Sequence, residues 1–588
     1  MIGHYCYPPS GYQLRLLTLE RTADETQWEI KHFLVSRTSL QAARGSHYDV
    51  MVRKVLAGNG IDRNVMLEQL RAKADRFEAV DLVVVGGGIT GAGVALDAAL
   101  RGFDVVLVER GDFASGTSSK SSKLVHGGLR YLQQGDVALV REALRERSIL
   151  QRIAQGRVEV LPFLLPIFTK NGLFPRRIAR ALGSALWAYD TAGGWRIGRL
   201  HRRLRKSGVA KMAPLLNSDR IAGGYLYYDA RADDARLTLD VAATAVREGA
   251  VAVNYCSLTG VTVKSGVVNT VELDVDGSHI SLQTRCIVNA AGVWAERVDD
   301  LVNDELAEPL PVLTIRPARG VHVTIPWELV QTQVAMVLPV PGDKRSVFLV
   351  PDQPQPDGSF DVAYIGTTDT DHSGTLDDPA CTSDDIDYLL RSVNAAMESS
   401  VTRDHVIGVW SGLRPLVTSD DDIEGRTADV SRRHRVDMSS SGYVRVVGGK
   451  LTTYRSMAED TLNHVERILG KRKPCSTRKT PLVDRNPQLL DTIRSKTSSS
   501  NLPLHSTLTE SEVLYAVRYE AAVHLVDVLT RRSRLHLLHR DLAMECAEPV
   551  SFIMQQELGW SESTRQQELQ NYTDLCHSEI DAMREGIR

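Results

Sequence analysis

Residues 81–110 read DLVVVGGGITGAGVALDAALRGFDVVLVER. An apolar run from Asp81 to Val85 ends in glycine, a helical pattern from Thr90 to Leu100 stops at Gly102, and a second apolar run spans Asp104 to Glu109. This predicts strand, helix and strand joined as one βαβ unit. The turn Gly86-Gly87-Gly88-Ile89-Thr90-Gly91 follows a strand and opens a helix, the context a dinucleotide fingerprint requires. Gly86 permits the tight turn, Gly88 lets backbone approach a pyrophosphate, and Gly91 allows helix to pack on strand, with the helix N-terminus facing the anion. Glu109 ends the second strand, where its carboxylate would accept hydrogen bonds from ribose hydroxyls and repel a 2'-phosphate, which disfavours NADP.

Working outward, a Ser/Lys-rich loop occupies Ala114 to Lys123, a helix is predicted from Val137 to Ala154, and a basic, aromatic segment runs from Lys170 to Lys211. A helix from Asp234 to Gly249 leads into strands up to Gly292, and a second strand-rich stretch covers Leu313 to Asp369. Asp384 to Met397 reads as helix. Gly448-Gly449-Lys450-Leu451-Thr452-Thr453-Tyr454-Arg455 places another glycine turn before a helix ending near Leu469. The first fingerprint leaves FAD and NAD open; a second anchor hundreds of residues later suits a large flavin held at both ends. The expected fold class is α/β, with a Rossmann-like FAD-binding domain, an interleaved antiparallel-sheet substrate domain and a C-terminal all-α domain. The expected boundaries are an N-terminal extension over 1–75 without assignable chemistry, an oxidoreductase region over 76–470, a Lys/Ser/Thr/Pro-rich linker over 471–506, and a helical domain over 507–588.

Of 588 residues, 43% are apolar and 24% charged, enough for more than one core. The formal charge of -3 argues against nucleic acid or another acidic polymer as partner. The seven cysteines lie far apart without C-x-x-C spacing, which argues against a metal site and a disulfide framework and for a reducing, cytoplasmic compartment. Val80 to Val108 is the most apolar stretch, but Asp81, Asp97, Arg101 and Asp104 interrupt it, so any membrane contact should be peripheral. No secretory signal is read at the N-terminus.

Several segments together resemble the FAD-dependent glycerol-3-phosphate dehydrogenase family, of the fold shared with D-amino-acid and glycine oxidases. They are residues 81–110, the run Ser115 to Leu132 (with Lys120-Ser121-Ser122-Lys123-Leu124-Val125-His126-Gly127-Gly128-Leu129-Arg130-Tyr131-Leu132 the most specific), and Tyr228-Asp229 with Asp233-Asp234-Ala235-Arg236. Val288 to Trp294, Ile365 to Thr370, Ser411 to Leu416 and the final glycine turn follow in family order. Tyr519-Glu520, Leu525 to Leu535 and Leu558-Gly559-Trp560-Ser561 resemble the family's appended helical domain more weakly. Ala291 stands where the family commonly has threonine, and the first 75 residues have no counterpart, which leaves initiation at Met51 or Met66 open.

The resemblance implies oxidation of sn-glycerol 3-phosphate to dihydroxyacetone phosphate by hydride transfer to FAD, with a membrane quinone as electron acceptor. The protein must then supply a base and an anion clamp. A phosphate monoester carries about -1.5 to -2 charges at neutral pH, and guanidinium groups match it bidentately. Arg130, Arg345, Arg316 and Arg414 are the candidates. His126 is the natural base, since imidazole titrates near ~6.5, with contact to the flavin or orientation of the alcohol as the alternatives for it. Ser118, Ser119, Ser122 and Lys123 are expected on the flavin diphosphate and ribityl chain, and Gly292, Lys450, Leu451 and Thr452 along the flavin, with Lys450 balancing negative charge there. His322 reads as a packed strand residue. Lys170 to Lys211, mixing arginines with Trp187, Tyr189 and Trp195, suits an anionic membrane surface. A peripheral position on the inner face of the cell membrane follows as the expected location; a homodimer stays open. The rivals are an oxidase delivering electrons to oxygen, an amino-acid oxidase of the same fold, and a dinucleotide sensor without turnover.

Overall fold

The computed structural model describes residues 60–76, 78–129, 136–168, 176–343, 345–417, 433–497, 502–503 and 506–584, and the backbone of two strands before them. Those strands, Leu14–Arg21 and Trp28–Val35, pair antiparallel with Leu14 opposite Val35 and Arg21 opposite Trp28, and belong to a separate N-terminal unit, residues 1–58.

The remainder is built on two sheets. In the first, the strands run in the order His434–Ser439, Tyr443–Gly448, Ile287–Asn289, Leu82–Val85, Val105–Val108, Val251–Val253. All pairings are parallel except at the His434–Ser439 edge. Leu82–Val85 and Val105–Val108 are buried along their whole length, as strands covered on both faces must be. The helix Ile89–Arg101 crosses between them and ends at Gly102, whose left-handed φ of 88° closes the C-cap. Gly93 lets this helix meet Tyr454 of the helix Tyr454–Leu469: a Cβ there would come 2.7 Å from the Tyr454 ring.

The second sheet is larger, with ten strands of which eight follow the order Thr370–Asp371, Ile315–Pro326, Phe360–Gly366, Ser346–Pro354, Ala335–Pro339, Glu159–Phe168, Ile221–Arg231, Leu124–Val125. Gly408–Val417 pairs with Ile315–Pro326, and Arg202–Arg205 with Ile221–Arg231. The chain enters this sheet at Leu124, returns to the first for Val251–Val253 and Ile287–Asn289, enters it again at Ile315 and comes back at His434, which is the interleaving expected. Its core joins Leu164, Phe168, Val321, Val323 and Leu349 to Ile386, Leu389 and Val393 of the helix Ser383–Ala396. A three-stranded sheet, residues 256–283, stands apart from both.

The C-terminal helices include Glu510–Tyr519, Arg540–Leu558 and Glu562–Arg584, packed around Val513, Leu529, Ala543, Val550 and Tyr572. Two segments differ from expectation. Within the stretch read as an extension, Asp62 caps a helix, Arg63–Asp75, that buries Met66, Leu67 and Leu70 and ties Arg63 to Asp276 at 2.9 Å. Three apolar residues among charges gave too short a period to register. Within the stretch read as a linker, Thr477 and Val483 are buried, the Leu482 N–H donates to Ile153 O and the Val483 N–H to Thr244 Oγ1, and Pro487–Arg494 is helical. Its polar composition serves contacts with the body of the protein.

Candidate functional site

A cavity of about 470 Å³ opens at the C-terminal ends of the parallel strands. Its floor is the first glycine turn. Gly86 takes a φ of 109°, and a Cβ on Gly91 would lie 1.8 Å from Gly86 O, so both turn and helix contact depend on absent side chains. Gly86, Gly88, Ile89 and Thr90 line the space, while Gly87 and Gly91 shape it from behind. Ser118 Oγ accepts the Ile89 N–H at 2.9 Å, so Ser118 reaches the N-terminus of the helix that would face a pyrophosphate.

Glu109 lines the cavity with its carboxylate fixed by the N–H groups of Gly87 (2.6 Å) and Gly111 (2.7 Å). Burial raises its pKa above the ordinary carboxylate value, against those two hydrogen bonds, which act to lower it. From the far side come Gly292, with φ of 61° and open space where a Cβ would be, and Gly448 and Gly449, both left-handed, leading to Lys450 and Leu451. Two glycine turns facing one cavity, with a carboxylate at one end and a lysine at the other, fit FAD. Thr117, Ser121, Trp294 and the Cys256–Leu258 segment also line it. Sequence reasoning left these out as site residues, although Trp294 closes the quoted Val288–Trp294 segment and Thr117 and Ser121 sit in the Ser/Lys-rich loop.

The loop residues divide. Ser119 is buried off the cavity, and Ser122 Oγ meets His322 Nε2 at 2.8 Å. Lys123 turns inward: its Nζ reaches Asp234 Oδ1 at 2.6 Å and Ser119 O at 3.0 Å and lies over Trp410. A buried ammonium needs a carboxylate partner more than it needs a ligand, so Lys123 holds the loop's shape instead of holding diphosphate. His322 is stacked on Trp410 with centroids 4.8 Å apart, and burial, with Arg414 and Lys123 nearby, pushes its pKa well down, so it is neutral.

On the substrate-sheet side, Arg414 lines the cavity and donates to Asp369 Oδ1 at 3.0 Å and Thr367 Oγ1 at 3.2 Å. Gly320 makes room for it: a Cβ there would stand 2.6 Å from Arg414 Nη2. Arg345 donates to the Asp369 carbonyl at 2.7 Å and to Asp343, so Asp369 joins the two arginines. Arg316 does not join them. It pairs with Asp371 at 2.7 Å, on a carboxylate that faces solvent, and does not line the cavity. Arg130 lies outside the described residues.

His126 follows the strand Leu124–Val125. Its backbone N–H donates to Thr452 Oγ1 at 3.2 Å and its ring stands edge-on to Phe348 at 6.3 Å. Thr452, expected on the flavin, thus ties the second glycine turn to the His126 loop and is itself buried. In the basic, aromatic segment, Leu186 and Tyr189 of the helix Arg176–Ala192 are core, whereas Trp187, Trp195 and Leu200 are 58%, 57% and 51% exposed. The side chains of 176–181, including Arg176, Arg177 and Arg180, lie outside the described residues. No helix among the described residues is long and apolar enough to cross a membrane.

Residues 81–455 match the family described as FAD dependent oxidoreductase, and residues 484–565 match the C-terminal domain of alpha-glycerophosphate oxidase. "Glycerol-3-phosphate dehydrogenase 1" of Mycobacterium tuberculosis is 39% identical over 81% of this chain and 95% of its own length. The mitochondrial glycerol-3-phosphate dehydrogenase of Rattus norvegicus is 32% identical over 85% of this chain and 73% of its own. The solved glycerol-3-phosphate dehydrogenase of Bacillus halodurans, complexed with FAD, is similar with a TM-score of 0.66 and 27% identity over 88% of this chain and 97% of that one.

Proposed function

The chain belongs to the FAD-dependent glycerol-3-phosphate dehydrogenases of the FAD dependent oxidoreductase family, and from that membership we propose that it oxidises sn-glycerol 3-phosphate to dihydroxyacetone phosphate and passes the electrons to a membrane quinone. The observation that carries the reading is the meeting of a two-ended dinucleotide cavity with an arginine, Arg414, drawn from the substrate sheet. When bound, FAD supplies the hydride acceptor.

The chain's own residues do the rest. Gly86, Gly88, Ser118 and Glu109 hold the nucleotide end, and Gly292, Lys450 and Leu451 the other. Arg414 and Arg345, both braced by Asp369, present guanidinium groups to the substrate phosphate, with Arg130 as the third member of the clamp. His126 takes the proton from the C2 hydroxyl, a role worth about 10² to 10⁴ in rate. Lys450 brings positive charge to the wall where negative charge accumulates during transfer. Closing the substrate under these groups orders the reacting atoms, a contribution of the same kind as effective concentration.

The test is anaerobic. The visible band of the purified yellow protein should bleach on adding sn-glycerol 3-phosphate and not on adding glycerol; a band untouched by the phosphate ester would overturn the substrate. Re-oxidation by a quinone, with little peroxide on readmitting air, separates dehydrogenase from oxidase. For access to a lipid-borne acceptor, Trp187, Trp195 and Leu200 stand exposed beside Arg196, Arg199, Arg202, Arg203 and Lys206. Indole rings flanked by cations match the interface of an anionic bilayer, which supports peripheral docking through residues 170–211.

A further inference from the structure

Beneath the His126 loop lies a buried polar cluster with no part in holding FAD or phosphate. Asp229, on the strand Ile221–Arg231, is buried, and its Oδ1 accepts the Gly127 N–H at 3.1 Å. The same N–H reaches Tyr189 Oη at 3.0 Å, and Tyr189 donates to Asp229 Oδ2 at 2.7 Å. Arg147, fully buried on the helix Val137–Ile153, donates to Asp229 Oδ1 and to the carbonyls of Tyr228 and Gly194 at 3.2 Å each. The contact tolerates no substituent: a Cβ on Gly127 would lie 2.4 Å from both Tyr189 Oη and Leu144 Cδ2. One residue before it stands His126, whose loop leaves the sheet through Val125, paired with Ala230 next to Asp229.

A buried ion pair costs desolvation and is seldom retained for stability alone, whereas one whose carboxylate is locked by three donors fixes geometry. We propose that Asp229 is a positioning residue for the oxidation: its carboxylate, held by Tyr189 and Arg147, sets the Gly127 peptide and through it the approach of His126 to the substrate hydroxyl. The inference rests on the proposed role of His126. Tyr189, on the helix that carries Trp187, and Gly194, in the turn Gly194–Ile197 that carries Trp195, are also inner anchors of the exposed aromatic face, so the cluster fastens that face and the reacting loop to one carboxylate.

The experiment uses the full-length flavin-loaded protein, its Asp229→Asn variant and its Tyr189→Phe variant, which removes one hydroxyl and leaves the ion pair intact. The rate of anaerobic flavin bleaching and the half-saturating sn-glycerol 3-phosphate concentration are measured together, with flavin content and thermal midpoint as controls. Displacement of a reacting group by about 1 Å costs about 10²-fold in rate. The expected result is a bleaching rate at saturation lowered about 10²-fold in Asp229→Asn and about tenfold in Tyr189→Phe. Half-saturation should stay within about twofold, because Arg414 and Arg345 of the phosphate clamp are untouched. Wild-type rates in flavin-loaded Tyr189→Phe, or slowing that merely follows lost flavin, would overturn the inference. A wild-type protein that the substrate does not bleach would sink the substrate reading and this inference with it.

Discussion

At Gly320 the absence of a side chain is a functional statement. Because a Cβ would press on Arg414 Nη2 at 2.6 Å and on Thr367 Oγ1 at 2.7 Å, Gly320→Ala should turn the guanidinium aside. The expected outcome is a KM for sn-glycerol 3-phosphate raised about tenfold or more with flavin content unchanged, since a lost charged hydrogen bond is worth about 1.5–3 kcal/mol; steady-state kinetics check it. Gly127→Ala meets Tyr189 and Leu144, so it should lower stability by about 1–3 kcal/mol and slow turnover together, as read by thermal melting and flavin bleaching. Residue types in context were legible for the places of the turn glycines, which backbone geometry dictates, and for that of Glu109 at the strand end beside the cavity. They were not legible for Lys123 and Arg316. A cation's partner depends on which carboxylate the fold brings near, and Asp234 and Asp371 lie 111 and 55 positions away in the chain.

Elements with a strong period were readable, and short ones were not. The helix Ile89–Arg101 and the strands beside it match expectation to within a residue or two because burial on both sides leaves a continuous apolar record. Arg63–Asp75 buries only Met66, Leu67 and Leu70, a signal lost among charges. For the exposed aromatic element, replacing Trp187 and Trp195 by serine should weaken co-sedimentation with anionic vesicles and leave bleaching in solution unchanged. Added salt should weaken the wild-type association, because part of it is electrostatic. Among the C-terminal helices, His536 is buried with its Nε2 against Glu579 and its Nδ1 against Tyr572. Burial alone would lower its pKa, but Glu579 and Cys576 carry it up to about 10. Its contribution to stability is therefore complete below about 6.5 and is lost as pH rises through about 10. A thermal midpoint that falls from pH 7 to 10 in the wild type, and less in His536→Gln, is the expected observation.

Across the whole molecule, the C-terminal helices are a domain in sequence and a clasp in space. Asp112, just past the Glu109 corner of the nucleotide site, is fully buried against Arg531 and Arg532 at 2.6 Å each, and Glu520 binds Arg236 and Arg485. Arg532→Ala would leave the buried Asp112 carboxylate with Arg531 alone and should cost about 1.5–3 kcal/mol, measured by denaturant unfolding. Burial would raise the Asp112 pKa, but Arg532 and Arg531 outweigh it and bring it down to about 2. That support stands above about 3.9 and is lost as pH falls through about 2, which ties acid unfolding to the clasp. Nothing in a polar stretch such as 471–506 announces such coupling; it exists only once distant charges meet. The tryptophans add an optical consequence. Trp294 forms part of the wall of the dinucleotide cavity, whereas among the described residues Trp187 and Trp195 face solvent more than any other large apolar side chains but Val312. A bound flavin absorbs where indole emits, so it should quench Trp294, while the solvent-facing Trp187 and Trp195 emit further to the red. Cofactor loading should therefore be readable as the loss of one indole's emission against that of the six others.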